Sequence, residues 1–192
     1  MNEEEIRAAT VGEPRVHDGT IDLADYDPAW PDLFTRESDR IRSTLGNVAR
    51  ALEHVGSTSV PGLAAKPIID IVLAVSDPAN EAAYVPALEA IGYVLRIREP
   101  DWYEHRMLAR NEPGVQIHVF SEGCPEIERM VVFRNRLRGN TADRDLYERT
   151  KRHLARRTWR YVQNYADAKT AVVNDIIARA RERGSDSGKA SL

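Results

Sequence analysis

Gly56-Ser57 closes one apolar run, and Asp70 sits inside the next, which spans 68–75. Twelve residues separate Ser57 from Asp70. Glycine lacks the Cβ that would hold a phosphate off the backbone. Ser57 adds an N–H and a hydroxyl, and Thr58 adds a second hydroxyl. A carboxylate among β-branched residues is costly to bury without a partner, and its hard oxygens suit Mg²⁺. The pattern suits a triphosphate held by Gly56, Ser57 and Thr58 against a metal ion on Asp70, which is what nucleotidyl transfer needs. A tight turn followed by an aspartate that caps backbone groups has the same spacing.

Further side chains suit the same chemistry. Lys66 follows Gly62 by four residues and can reach a phosphate from the loop. Gly56 and Gly62 are not followed by Lys-Ser or Lys-Thr, so the segment is not a P-loop. His118 lies in a later apolar run and suits a metal ligand or a general base. Asp70 and His118 are thus the catalytic and metal-binding candidates. Arg134 and Arg138 are one helical turn apart and share a face. Their forked groups suit phosphate. Lys169 interrupts the apolar stripe of the last helix, so its amine must reach solvent, an acid or a ligand. His54 precedes the Gly-Ser turn and can orient Ser57 or an acid. Trp102, Tyr103, His105 and Arg106 form a polar-aromatic patch suited to stacking on a base or to edging the core.

The elements that must position these residues follow from periodicity and punctuation. Asp27-Pro28 opens a helix with Trp30, Leu33, Phe34, Ile41 and Leu45 at helical spacing, ended by Gly46-Asn47. Strands are predicted over 21–26, 48–55, 68–75, 93–98, 103–109 and 115–120. One helical turn is predicted over 62–65 and a helix over 79–91. Three more helices are predicted over 125–138, 142–157 and 159–182. The order predicts an α/β (α+β) fold, a mixed β-sheet flanked by helices with a helical C-terminal extension.

The chain has 192 residues, 42% hydrophobic, enough for one sizeable core. A single domain is expected over 20–182, after a flexible lead-in (1–19) and before a disordered tail (183–192). The formal charge of −3 argues against a general polyanion binder. Residues 1–39 carry three Arg against eleven Asp or Glu, and residues 129–160 carry eleven Arg or Lys against three acids. Nucleic-acid binding by the basic run ranks below pairing with acidic neighbours. The single cysteine, Cys124, excludes a disulfide framework. No apolar stretch reaches membrane-spanning length, and the acidic start lacks the marks of a signal peptide. A cytoplasmic protein with no membrane partner is expected.

The stretch EHVGSTSVPGLAAKPIIDIVLAV (53–75) resembles the GrpB family. So do YDPAWPDLF (26–34), VQIHVF (115–120), VVFRNRLR (131–138) and YADAKTAVV (165–173). The resemblance covers roughly 20–180. It implies a nucleotidyltransferase-like fold and a relation to a domain fused to some dephospho-CoA kinases, regarded there as a folding accessory. Active nucleotidyltransferases carry a second acid two residues after the first, and Val72 stands there. Glu99, Asp101 or Glu104 would have to supply it from a neighbouring loop. Gln116 replaces the first histidine of the family's His-x-His strand, and Asn135-Arg136 replace an Asp-Tyr pair. The resemblance implies a nucleotide or other phosphorylated small molecule as partner, with Mg²⁺. It leaves open a non-catalytic metabolite-binding module and a protein partner.

Overall fold

A computed structural model describes residues 1–187, with side chains to Glu182. Five strands form one mixed sheet in the order β1-β2-β5-β4-β3. They are β1 (Ala51–Val55), β2 (Ile69–Val75), β3 (Val94–Glu99), β4 (His105–Arg110) and β5 (Val115–Ser121). β2 pairs antiparallel with β1 and parallel with β5, and the β5-β4-β3 side is antiparallel throughout. Apart from Asp70, every residue of β2 is buried. Its unbroken Ile/Val/Leu/Ala run is what an interior strand covered on both faces requires.

One face of the sheet packs against α2 (Trp30–Leu45) and α3 (Val85–Ala90). Asp27 Oδ1 accepts from Ala29 N–H at 2.8 Å just before α2, and Gly46 ends it at φ +53°. Trp30, Ile41 and Leu45 point inward onto Ile69, Ile71 and Leu73. The other face meets α4 (Pro125–Gly139), α5 (Thr141–Ala155), α6 (Val162–Asp167) and α7 (Thr170–Ser187). α4, α5 and α7 gather around Val60, Leu63, Leu137, Tyr147 and Ile176, while α6 joins a separate cluster with Ile21, Leu154 and Ala155.

Several local expectations are corrected. The helical turn predicted over 62–65 is absent. A 3₁₀ turn forms at Ser57–Ser59 instead, and Ala65 bridges to Ala24. That bridge is all that forms of the strand predicted over 21–26. The helix predicted over 79–91 starts only at Val85, after a 3₁₀ turn at Glu81–Ala83. The last predicted helix is split into α6 and α7 on either side of Ala168-Lys169.

The expected lead-in carries a helix and contacts the sheet. Asn2 and Glu5 make a capping box for α1 (Glu3–Ala9), Ile6 and Ala9 are buried, and Thr10 bridges to Ile97 of β3. Of the expected tail, residues 183–187 continue α7, and 188–192 lie outside the described residues. Among the described residues no helix is long and apolar enough to cross a membrane.

Candidate functional site

The register places the chemistry. Val55 at the end of β1 faces Asp70, so the chain turns at Gly56 beside the carboxylate. Gly56 has φ +70°, a conformation that L side chains rarely adopt, and it leaves room for Asp70. On the other side of β2, Asp70 pairs with Gln116 and Val72 with His118. Alternation puts Asp70 and His118 on one sheet face, where His118 Nε2 stands 3.9 Å from Asp70 Oδ1.

The turn is tied down internally. Ser59 Oγ donates to Gly56 O at 2.6 Å. Thr58 Oγ1 donates to Ile68 O at 3.1 Å and meets His54 Nε2 at 3.1 Å. With its own proton spent on Ile68, Thr58 Oγ1 accepts from His54 Nε2–H. His54 lies on the opposite sheet face, stacked on Phe34 at 4.7 Å, and burial lowers its pKa to about 4. The Ser57 hydroxyl interacts with Tyr147 of α5, opposing the rise that burial gives the Tyr147 pKa.

A cavity of ≈ 1160 Å³ opens between this turn, the sheet face and the helices. Gly56, Ser57, Thr58, Lys66, Asp70, His118 and Lys169 all line it. Lys169 sits at the break between α6 and α7, with Nζ 4.3 Å from the centre of the Tyr165 ring. Burial pulls its pKa down to about 8 against the attraction of Asp70 and Asp167. Burial also lowers Lys66, opposed by Asp70 and reinforced by Lys169.

Sequence reasoning missed a third amine. Lys151 of α5 is buried, bonds Ala64 O, lies 5.0 Å from the Tyr147 ring centre and lines the same cavity. Its pKa falls to about 7, through burial first and Lys169 second. The available signal was spacing: Asp143, Tyr147, Lys151 and Leu154 form one buried helical face.

Arg134 and Arg138 are not brought to the cavity. α4 runs alongside β1, so their shared face meets the strand and the turn from behind. Arg134 Nη1 donates to Glu53 Oε2 at 2.7 Å and to His54 O at 2.8 Å, and Arg138 Nε donates to Ser59 O at 2.9 Å. Asn135 still steadies Arg134, accepting from its Nε at 3.1 Å. Much of the basic run is paired internally: Arg136 and Arg179 clamp Asp143, and Arg152 reaches Glu148 and Asp25.

A divalent cation here would find one carboxylate, Asp70, and one imidazole, His118. Among the described residues no three His, Cys, Asp or Glu side chains converge on a common point. Val72 is buried and apolar, so β2 supplies no second acid. Glu99 lines the same cavity, but its Oε2 is engaged by His105 Nδ1 at 2.7 Å. Asp70 by itself fits the way Mg²⁺ is usually held, by one or two carboxylates with water and phosphate oxygens filling the shell.

Residues 20–179 match the sequence model of the family described as GrpB protein. The chain belongs to the GrpB family. It is 58% identical over 178 residues to a UPF0157 protein of Halalkalibacterium halodurans, covering 93% of this chain and 91% of that one. It is 27% identical over 194 residues to a dephospho-CoA kinase of Mycolicibacterium paratuberculosis, covering 88% of this chain and 48% of the kinase. The crystal structure of conserved protein GrpB from Enterococcus faecalis superposes with a TM-score of 0.70 at 30% identity. That match covers 84% of this chain and 98% of the other. The GrpB match accounts for the mixed sheet and the helical C-terminal region, and it begins after the α1 lead-in.

Proposed function

We propose that this GrpB-family protein binds a nucleoside triphosphate, or another phosphorylated small molecule, in the cavity beside Asp70 together with a divalent cation. Nucleotidyl transfer to an acceptor is the reaction such a site serves. The observation that carries the reading is the convergence of Lys66, Lys151 and Lys169 with Asp70 on one cavity. Burial holds these amines below their usual pKa, and an arriving anion favours their charged forms, so the cavity favours polyanions over neutral ligands. In a transfer step, the charge developing on the leaving phosphates is met electrostatically. On this reading Lys66 and Lys169 do that, and Asp70 holds the cation.

A second reading is supported by two facts. The chain matches about half the length of a dephospho-CoA kinase, and Val72 stands where a second acid would serve catalysis. On that reading the cavity binds a coenzyme A-like metabolite without turning it over, or the domain assists the folding of a partner. Equilibrium dialysis with ATP, ADP and coenzyme A, on the wild type and Lys169→Gln, tests the proposal. Saturable binding of ATP that the variant weakens about tenfold or more supports it, the loss expected when a buried charged hydrogen bond is removed. Binding of coenzyme A alone favours the second reading. Binding of none removes both ligand readings.

A further inference from the structure

Along the cavity wall, three side chains form a hydrogen-bonded line. Glu99 Oε2 lies 2.7 Å from His105 Nδ1, and His105 Nε2 lies 3.1 Å from His118 Nδ1. A carboxylate can only accept, so His105 donates from Nδ1. His105 is 4% exposed and packs face-on against Phe120 at 4.7 Å. Neutral His105 has one ring N–H, and with that spent on Glu99 its Nε2 is an acceptor. His118 Nδ1 must then carry the hydrogen between the rings. In neutral His118 the lone pair is on Nε2, facing Asp70 across 3.9 Å. That gap is too long for a hydrogen bond. Two electron-pair donors face one space.

We infer that His118 Nε2 and Asp70 form a mixed nitrogen–oxygen seat for a divalent transition ion, and that Glu99 and His105 are positioning residues that fix the His118 ring for it. This rests on the reading above, that a cation accompanies the ligand, and it names the kind of cation. An imidazole nitrogen favours ions such as Mn²⁺ or Co²⁺ over Mg²⁺, which prefers an all-oxygen shell. Gln116, opposite Asp70 in the ladder, adds no charge. The remaining positions fall to water and to phosphate oxygens. A ligating histidine whose other ring N–H is anchored to an acceptor is the usual support for such a ligand. Here that anchor is itself a histidine, held by a carboxylate.

The test uses the ligand-free protein and the metal ions alone. Nitrogen-15 NMR of the histidine rings reads the tautomer of His118 directly. The expected result is hydrogen on Nδ1, with the His118 signals the first to broaden on adding Mn²⁺. Calorimetry is expected to show Mn²⁺ binding at least about tenfold tighter than Mg²⁺. Glu99→Gln is expected to weaken Mn²⁺ binding about 10- to 100-fold while Mg²⁺ binding barely changes. His118→Gln should erase the preference for Mn²⁺. Hydrogen on Nε2, equal binding of the two ions, no binding of Mn²⁺, or an unchanged affinity in Glu99→Gln each overturns the proposal. A protein that passes these tests yet fails to bind ATP keeps the cation seat and loses the nucleotide reading. ATP binding with His118 untouched by Mn²⁺ does the reverse.

Discussion

A Cβ built on Gly56 would stand 2.1 Å from Asp70 Oδ2. The glycine that sequence reasoning assigned to phosphate contact is needed first for the close approach of the carboxylate. Gly56→Ala must displace Asp70 and also hold alanine at φ +70°. It is expected to cost about 2–4 kcal/mol, read by urea denaturation, and to abolish ligand binding in the protein that remains folded. Adding Asp70→Ala removes the nearest clashing atoms. The double variant should therefore be more stable than the two single losses predict, by about 1 kcal/mol. Strict additivity would show that the two residues do not press on each other.

Arg134 and Lys169 separate structure from binding. Arg134→Met breaks the bonds to Glu53 and His54 O. It should cost about 1–2 kcal/mol and leave the affinity for ATP within about threefold, since a change below about 0.7 kcal/mol is that small. Lys169→Met should leave the melting temperature unchanged or raised, because a poorly solvated amine is removed, while ATP affinity falls about tenfold or more. The opposite pattern, a stability loss from Lys169→Met and a binding loss from Arg134→Met, would put Arg134 in the site.

His54 predicts an acid-sensitive fold. Its pKa is about 4 in the folded protein and 6.5 without burial. Between those values the unfolded chain binds the proton and the folded one does not. Stability is complete above pH 6.5 and falls as the pH drops toward 4, by at most about 3 kcal/mol from this group. In His54→Phe, denaturation midpoints measured across pH 4–7 should form a flatter profile. An equally steep profile would assign the acid sensitivity elsewhere.

The lysines predict a slope of the same sign at higher pH. Lys151 titrates near 7 and Lys169 near 8 when folded, against 10.5 unfolded. From about pH 7 to 10.5 the unfolded chain holds more protons, so the ligand-free protein gains stability as the pH rises. A bound polyanion recharges the amines, and tripolyphosphate should bind at pH 8.5 with net proton uptake. Calorimetry in two buffers of different ionisation enthalpy reads this, and Lys151→Met should reduce the uptake. Binding with no proton uptake would show that both amines are charged before the anion arrives.

The outline of the site was legible in the sequence because it rests on strand periodicity. The apolar run around Asp70, the Gly-Ser turn and His118 on a later strand follow from patterning, and parallel pairing of β2 with β5 joins them. What was not legible depends on tertiary placement. Spacing puts Lys151 on one helical face with Asp143, Tyr147 and Leu154, but only the packing of α5 shows that this face turns inward. The break at Ala168-Lys169 falls in a segment whose apolar spacing continues across it. Arg134 and Arg138 do share a face as their spacing requires, but the side of β1 on which α4 lies decides that the face meets carbonyls instead of the cavity. Glu99, His105 and His118 come from three strands, and only the β4-β5 and β3-β4 registers place them in line.

The central claim is that the cavity beside Asp70 takes a phosphorylated ligand together with a cation. Calorimetric titration of ATP, with and without a divalent ion, on the wild type and Asp70→Asn tests it most directly. Asp70 is partly exposed and the substitution is isosteric, so the variant should fold. The account predicts cation-dependent binding in the wild type, lost or weakened at least about tenfold in the variant. ATP binding of equal strength in a folded Asp70→Asn, or none in the wild type, would contradict it.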